Sequence, residues 1–202
     1  MTTKKRYMIL PTAILLFLAC ISTTFSFTGK IIEDNSEKEL IITKTVQYLK
    51  EKKINTSEEK MKAIANSVYK ESQEYDIDYR LVLAVVKVES NFNNEAISRR
   101  GARGLMQIRP SSAKGIARES GVEVKGATCL HEPEKNIKIG VSYLSKLQGM
   151  FDNMVSALHA YNAGPGKVKK ADPEFGAKTT AFTRKVMNEY QQIIEVLPDP
   201  EE

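Results

Sequence analysis

The sequence predicts an all-α fold, and three observations carry that prediction. From Ser57 onward, apolar residues recur at helical spacing, three and four apart. The helical stretches are punctuated by residues that start or stop helices, such as Ser57, Pro110 and the Gly-Pro-Gly run at 164–166. No stretch sustains the alternating pattern of a half-buried strand. At 202 residues, with 42% hydrophobic and 27% charged, the chain has the length and composition of a globular domain with additions, not of a disordered polymer.

The first segment, residues 1–28, reads as an export signal or a membrane anchor. Lys4, Lys5 and Arg6 precede the apolar stretch Tyr7–Ile21. Continued through "STTFSF" to Phe27, that stretch approaches the roughly 20 residues of a membrane span. Pro11, Ser22, Thr23 and Thr24 interrupt it. A signal removed by cleavage and a retained anchor both satisfy this pattern. "FLAC", Phe17–Cys20, resembles a lipoprotein processing site, although Phe17 and Leu18 depart from it. Removal of the segment would leave Cys129 as the sole cysteine and exclude an intrachain disulfide.

Residues 29–57 read as a charged spacer with a short amphipathic helix, its stripe formed by Leu40, Ile42, Val46 and Leu49. The main domain is expected over 58–202. Its first helix follows Ser57 with Glu58 and Glu59 in the first turn. A second starts near Asp78 and runs through "YRLVLAVVKVES". A third opens at Pro110, whose missing N–H costs nothing in a first turn. A fourth carries Ile137, Val141, Leu144 and Leu147 on one face. "NMVSALHAYN" is a short fifth, stopping at "AGPG", and "TAFTRKVMNEYQQIIEVL" closes the fold before Pro198.

Net charge says little about partners. The formal value is +5, and removing Lys4, Lys5 and Arg6 from that count leaves +2. A solvated surface of mixed sign accounts for it, and no nucleic-acid partner is expected. No metal or cofactor is expected either. His131 and His159 stand 28 residues apart without paired ligand spacing, and no EF-hand or P-loop pattern is present.

Three stretches can carry chemistry. Glu89 ends the apolar run "VLAVVKVES" and shares a helix face with Val82, Val85 and Val86. Desolvation by the valines and the negative end of the helix dipole both raise a carboxyl's pKa. A carboxyl kept protonated near neutral pH suits a general acid. The competing reading is a helix-end ion pair with Arg99, Arg100 or Arg103. The loop "SRRGARGLMQIRP", Ser98–Pro110, offers backbone exposed at Gly101 and Gly104 and the amide of Gln107. "ALHAYNAGPGKV" sets Tyr161 and Asn162 at a helix end before a forced turn, where they serve as a helix cap or as ligand-binding groups.

Taken together, Glu89-Ser90, "GLMQ" fifteen residues on and "AYNAGPG" resemble the catalytic domain of the soluble-type lytic transglycosylases, relatives of goose-type lysozyme. The resemblance spans about Glu58 to Val196 and includes "LHEPEKNIKIGVSYL". It implies a lysozyme-like helical domain with a glycan-binding cleft and peptidoglycan strands as substrate. By the same resemblance Glu89 is the acid/base, Ser98 lies near the reacting sugar, and Met106 and Gln107 touch glycan. Tyr161 helps hold the acid and Asn162 binds sugar. The implied place is the cell envelope, on the periplasmic side, with the membrane reached through residues 1–28 if they are retained. Arg109 departs from the family pattern, standing where many members carry an apolar residue. So does "FTRKVM", where Phe182 and Val186 replace a Glu and a Tyr.

The implied reaction cleaves the bond between N-acetylmuramic acid and N-acetylglucosamine with a single carboxyl and leaves a 1,6-anhydromuramyl end. A lysozyme-type hydrolase on the same fold is the alternative, and it calls for a positioned water and a second carboxylate. Glu95 is the sole acid nearby in sequence. A glycan-binding scaffold of a secretion system that has lost catalysis is the remaining class.

Overall fold

The computed structural model describes residues 35–151, 153–171 and 179–200, without the side chains of 170 and 171. The export or anchor segment 1–28, with Cys20, lies outside the described residues. Among the described residues no helix is long and apolar enough to cross a membrane. The chain divides into two compact units, Met1–Leu40 and Ile41–Glu202. Of the first, only 35–40 are described, as helix.

The described residues are helical, as expected, with no strand among them; two isolated bridges, Ile97 to Arg103 and Arg103 to Ile108, are the sole sheet-like pairing. Helix α1 is described over 35–51, and its residues from 41 onward belong to the second unit. It is followed by α2 (Glu58–Tyr75), α3 (Tyr79–Ser90), α4 (Pro110–Glu119), a 3-10 turn (Ala127–His131), α5 (Pro133–Gln148), α6 (Met154–Ala163), α7 (Pro165–Ala171) and α8 (Ala181–Ile194).

Local chemistry sets most of these boundaries. The Ser57 hydroxyl accepts from the Lys60 N–H at the start of α2, and the Asp78 carboxylate accepts from the Arg80 N–H at the start of α3. Asn153 caps α6 in the same way, accepting from the Ser156 N–H. Thr180 and Thr183 form a reciprocal capping box on α8. Pro110 and Pro133 occupy first-turn positions in α4 and α5. The turn expected at 161–166 is shorter than the sequence suggests. Gly164 (φ 92°) ends α6, and Pro165 at once begins α7.

The spacer reading of 29–57 meets a different arrangement. Ile41, Ile42, Val46, Tyr48 and Leu49 of α1 are buried in the main hydrophobic cluster, although Leu40 is exposed. The compact unit therefore begins at Ile41 rather than at the expected 58. The stripe predicted the helix and its buried face, and the partner of that face is the domain's own core.

Within this unit α2 packs chiefly on α5, and α3 on α8. Helix α3 is apolar on all sides, and Leu81 through Val86 are buried, as a helix at the centre of a domain must be. Its first turn is held by a polar clasp from the C-terminus. The Tyr79 hydroxyl donates to the Pro198 carbonyl at 2.7 Å, Arg80 pairs with Asp78 and Asp199, and Tyr190 donates to Asp78. At the other end, Asn91 (φ 52°) and Phe92 (φ 61°) adopt the left-handed conformation and turn the chain out of the helix. Phe92 is fully buried, which fixes that turn one residue beyond Ser90 and leaves Glu89 in the last helical turn.

Candidate active site

Glu89 opens into a cleft of about 660 Å³, walled by the 98–109 loop, the start of α4, Tyr143 of α5 and the α6–α7 junction. Its carboxyl is half-buried, and burial raises its pKa from the ordinary 4.5 to about 7. No charged partner contributes to that shift. The competing ion pair is not formed. Arg99 and Arg100 line the cleft without pairing with Glu89, and the Arg103 guanidinium turns away to His131. His131 Nδ1 lies 2.9 Å from the Asn94 carbonyl, so with that nitrogen donating, Nε2 accepts from Arg103 at 3.1 Å. Ser90, beside the acid, donates back to the Val86 carbonyl within its own helix.

The Gly-containing loop is a rigid hairpin-like knot. Arg103 and Ile108 exchange both backbone hydrogen bonds at 3.0 Å, and Gly104 N–H donates to the Ala96 carbonyl. Gln107 sits between them in the left-handed conformation (φ 51°). Its amide nitrogen donates to the Gly104 and Ala96 carbonyls at 2.9 and 3.3 Å. That leaves the side-chain oxygen of Gln107 as the group free to meet a ligand N–H or O–H. Ser98 accepts from the Ala102 N–H and lies on the cleft wall.

Met106 is placed differently from its neighbours. Its side chain is fully buried and seats its sulfur against Gly140, and it is not part of the cleft lining. It reaches the site through its backbone. The Met106 N–H donates to the Asn136 side-chain oxygen at 2.7 Å, and its carbonyl accepts from the Tyr161 hydroxyl at 2.8 Å. Asn136, fully buried, also donates to the Arg103 and Leu130 carbonyls. One side chain of α5 thus ties two backbone groups of the loop, at Arg103 and Met106, to the Leu130 carbonyl of the 3-10 turn.

Tyr161 lies near the acid, but its hydroxyl goes to the Met106 carbonyl and not to Glu89, so it does not hold the acid directly as the resemblance implies. Burial, then the nearby Glu89 and Tyr143, push its phenol well above the usual value, so it stays a neutral donor. Its ring meets that of Tyr143 at 5.5 Å and a tilt of 44°, a favourable aromatic contact. Asn162 is exposed on the same wall. Tyr161→Phe removes only the hydroxyl bound to the Met106 carbonyl. It is expected to cost about 1 kcal/mol and lower Tm by about 3 °C, read by thermal melting. An unchanged Tm would mean that this bond does not hold the loop.

The structure therefore gathers Glu89, Ser98, Gln107, Tyr161 and Asn162 around one cleft, and leaves the Met106 side chain behind its wall. Sequence reasoning missed Tyr143, Lys167 and Asn136. Tyr143 stands off the apolar stripe of α5, and Asn136 is a polar residue one position before that stripe begins; both were visible as departures from the pattern. Glu95 is not in the cleft. It lies beside Asn94 and His131 with its side chain 65% exposed. Among the described residues Glu89 is the one carboxyl lining the cleft, and no group of His, Cys, Asp and Glu could hold a metal ion.

Comparison with known proteins points to one family. The family model for the Transglycosylase SLT domain matches residues 66–182, more than half of the chain. The soluble lytic murein transglycosylase of Salmonella typhimurium is 41% identical over 96 residues, covering 46% of this chain and 15% of that protein. The membrane-bound lytic murein transglycosylase C of Edwardsiella ictaluri is 32% identical over 150 residues, covering 69% and 41% respectively. Among solved structures, an inactive mutant of the lytic transglycosylase Slt from Pseudomonas aeruginosa superposes with a TM-score of 0.57 at 27% identity, covering 66% of this chain and 25% of that one. The chain spans less than half the length of each of these relatives.

Proposed function

This chain belongs to the SLT transglycosylase family, and on that premise we propose that it is a peptidoglycan lytic transglycosylase working with Glu89 alone as acid and base. The observation that carries the reading is the half-buried carboxyl of Glu89, with no ion-pair partner and a pKa raised to about 7, lining a cleft whose described wall offers no second carboxyl. A hydrolase of the two-carboxylate kind needs the missing group.

The steps follow from that single group. Protonated Glu89 donates to the glycosidic oxygen between N-acetylmuramic acid and N-acetylglucosamine, and the bond from the muramyl C1 to that oxygen breaks. The leaving sugar departs as an alcohol. The muramyl 2-acetamido oxygen stabilises the cationic C1. The muramyl 6-hydroxyl then attacks C1, and Glu89, now a carboxylate, accepts its proton. A 1,6-anhydro bond closes, no water is consumed, and the acid is restored. Gln107, Asn162 and Ser98 supply neutral polar groups suited to acetamido and hydroxyl recognition. The neutral Tyr161 near the acid adds no charge to the site.

Product analysis tests this. Digestion of purified sacculi followed by mass analysis should yield anhydromuramyl ends. Reducing ends would identify a hydrolase instead, and intact sacculi a binding scaffold. The pH dependence gives a second check. Because the first step needs protonated Glu89, kcat/KM should fall above about pH 7, approaching tenfold per pH unit. A falling limb centred near the ordinary 4.5 would mean that burial does not tune this acid.

The same reading places the domain in the cell envelope, outside the cytoplasm. Its support is the basic and then apolar sequence of residues 1–28. Cell fractionation should find the protein processed or membrane-attached. A soluble, unprocessed cytoplasmic protein would refute that placement, and Cys20→Ala without effect on attachment would dispose of lipidation.

A further inference from the structure

The charge on the cleft wall exceeds what a neutral glycan needs. Beside Glu89 the described lining holds four cations, Arg99, Arg100 and Arg109 on one side and Lys167 on the other. All four are exposed. None is paired with a carboxylate among the described residues. Elsewhere on the domain some cations, such as Lys50, Lys62, Lys138 and Lys146, pair with a glutamate, and others, such as Lys44, Lys114 and Arg118, have no such pair among the described residues. What sets the cleft apart is four cations gathered on one wall with a single carboxyl among them.

A second observation has the same sign. Helix α4 begins after Arg109 with no side-chain cap and no acid in its first turn, and its Ser112 and Ile116 line the cleft. Its positive end therefore adds to the field there. The hydroxyls and acetamido groups of a glycan backbone are neutral and call for groups such as Gln107 and Asn162. Unpaired guanidinium groups suit carboxylates and phosphates.

We propose that Arg99, Arg100, Arg109 and Lys167 form a rim that binds anionic groups pendant on the glycan strand and makes the enzyme select substituted over bare strands. The inference rests on the function proposed above and adds to it the class of substrate selected. Two pendants share this chemistry, the carboxylates of peptides carried on the muramyl sugars and the phosphodiesters of attached wall polymers. An exposed charge pair contributes a factor of up to about five, so two or three engaged together give a preference on the order of tenfold.

The test compares the full chain with a variant carrying Arg99→Gln, Arg100→Gln, Arg109→Gln and Lys167→Gln. These side chains make no hydrogen bond or ion pair among the described residues, so the fold should survive, as checked by melting. Substrates are intact strands, strands stripped of peptide by an amidase with the lactyl carboxylate so exposed then capped as its methylamide, and strands stripped of phosphodiester polymer by hydrofluoric acid. For the wild type, kcat/KM should be about tenfold higher on intact strands than on one of the stripped forms, and that form identifies the pendant. In the variant the ratio should fall below about twofold, and high salt should shrink it in the wild type. Equal wild-type rates on all three substrates, or a preference retained by the variant, would overturn the rim. Absence of cleavage on every substrate would instead strike the proposed function. The binding of Glu89→Gln protein to intact and stripped soluble strands then decides the rim separately, with equal affinities counting against it.

Discussion

Glu89→Gln is expected to abolish formation of anhydromuramyl ends while leaving the protein at least as stable at pH 8. Loss of a general acid costs about two to four orders of magnitude in rate, and here the same group also serves as base. The stability half follows from linkage. The folded pKa is about 7 against an ordinary 4.5, so the folded protein binds the proton more tightly than the unfolded chain. The cost of ionising this site is absent below about 4.5, grows as pH rises through the window between the two values, and is complete above about 7. Its full size is on the order of 3 kcal/mol, an upper figure because the carboxyl touches cleft water. Gln has the same shape and no charge to desolvate, so Tm at pH 8 should be unchanged or higher, while at pH 4 the two proteins should melt together. A structural ion-pair partner would behave the opposite way. A clearly lower Tm at pH 8 with most cleavage retained would sink the assignment.

Gly104→Ala should be the most damaging single methyl added to the loop. Gly104 has φ 76°, and a Cβ there would run into the Leu130 carbonyl and the Asn136 amide. Neither can retreat cheaply. The Asn136 amide is hydrogen-bonded to both the Leu130 and Arg103 carbonyls, at 2.7 and 3.0 Å. The left-handed conformation costs about 1 kcal/mol for a residue with a Cβ, and overpacking costs about 1–3 kcal/mol more. A drop in Tm of roughly 6–12 °C follows for a domain of this size. Cleavage should fall too, because the same displacement moves the Met106 carbonyl and with it Tyr161. Gly101→Ala is the matched control, since Gly101 has the same φ of 76° and an added methyl carbon would meet nothing within 4 Å. It should lose only the conformational part, and equal losses from the two substitutions would show that the close approach to Asn136 is not what matters.

How much of this was legible in the sequence depends on the range of the forces involved. Helix starts at Ser57, Asp78 and Pro110 were readable because a cap is satisfied within one turn. The environment of Glu89 was readable because its valine neighbours lie on the same helix. Other features depend on tertiary partners. The stripe on α1 announces a buried face without naming what covers it, so the sequence alone reads there as a spacer. In the loop at 98–109 no period tells which side chain turns inward, and Met106 went into the core while Gln107 stayed in the cleft. The rivalry for Arg103 between Glu89 and His131 was settled by a residue 28 positions away. Tyr143 and Lys167 join the site only because α5 and the α6–α7 junction come together there.

The C-terminal clasp has a mechanical consequence. Helix α3 has twelve residues, a rod of about 18 Å. One end is moored by Tyr79, Arg80 and Tyr190 to Asp78, Pro198 and Asp199, and the other end carries Glu89. A rod clamped at its foot cannot tilt or slide without breaking those bonds, so the aim of the proton at the tip is set by a mooring that touches no sugar. Trimming the chain before Pro198 would remove the Tyr79 and Asp199 moorings, leave Tyr190 on Asp78 as the remaining tether, and so loosen the aim with every residue of the cleft in place.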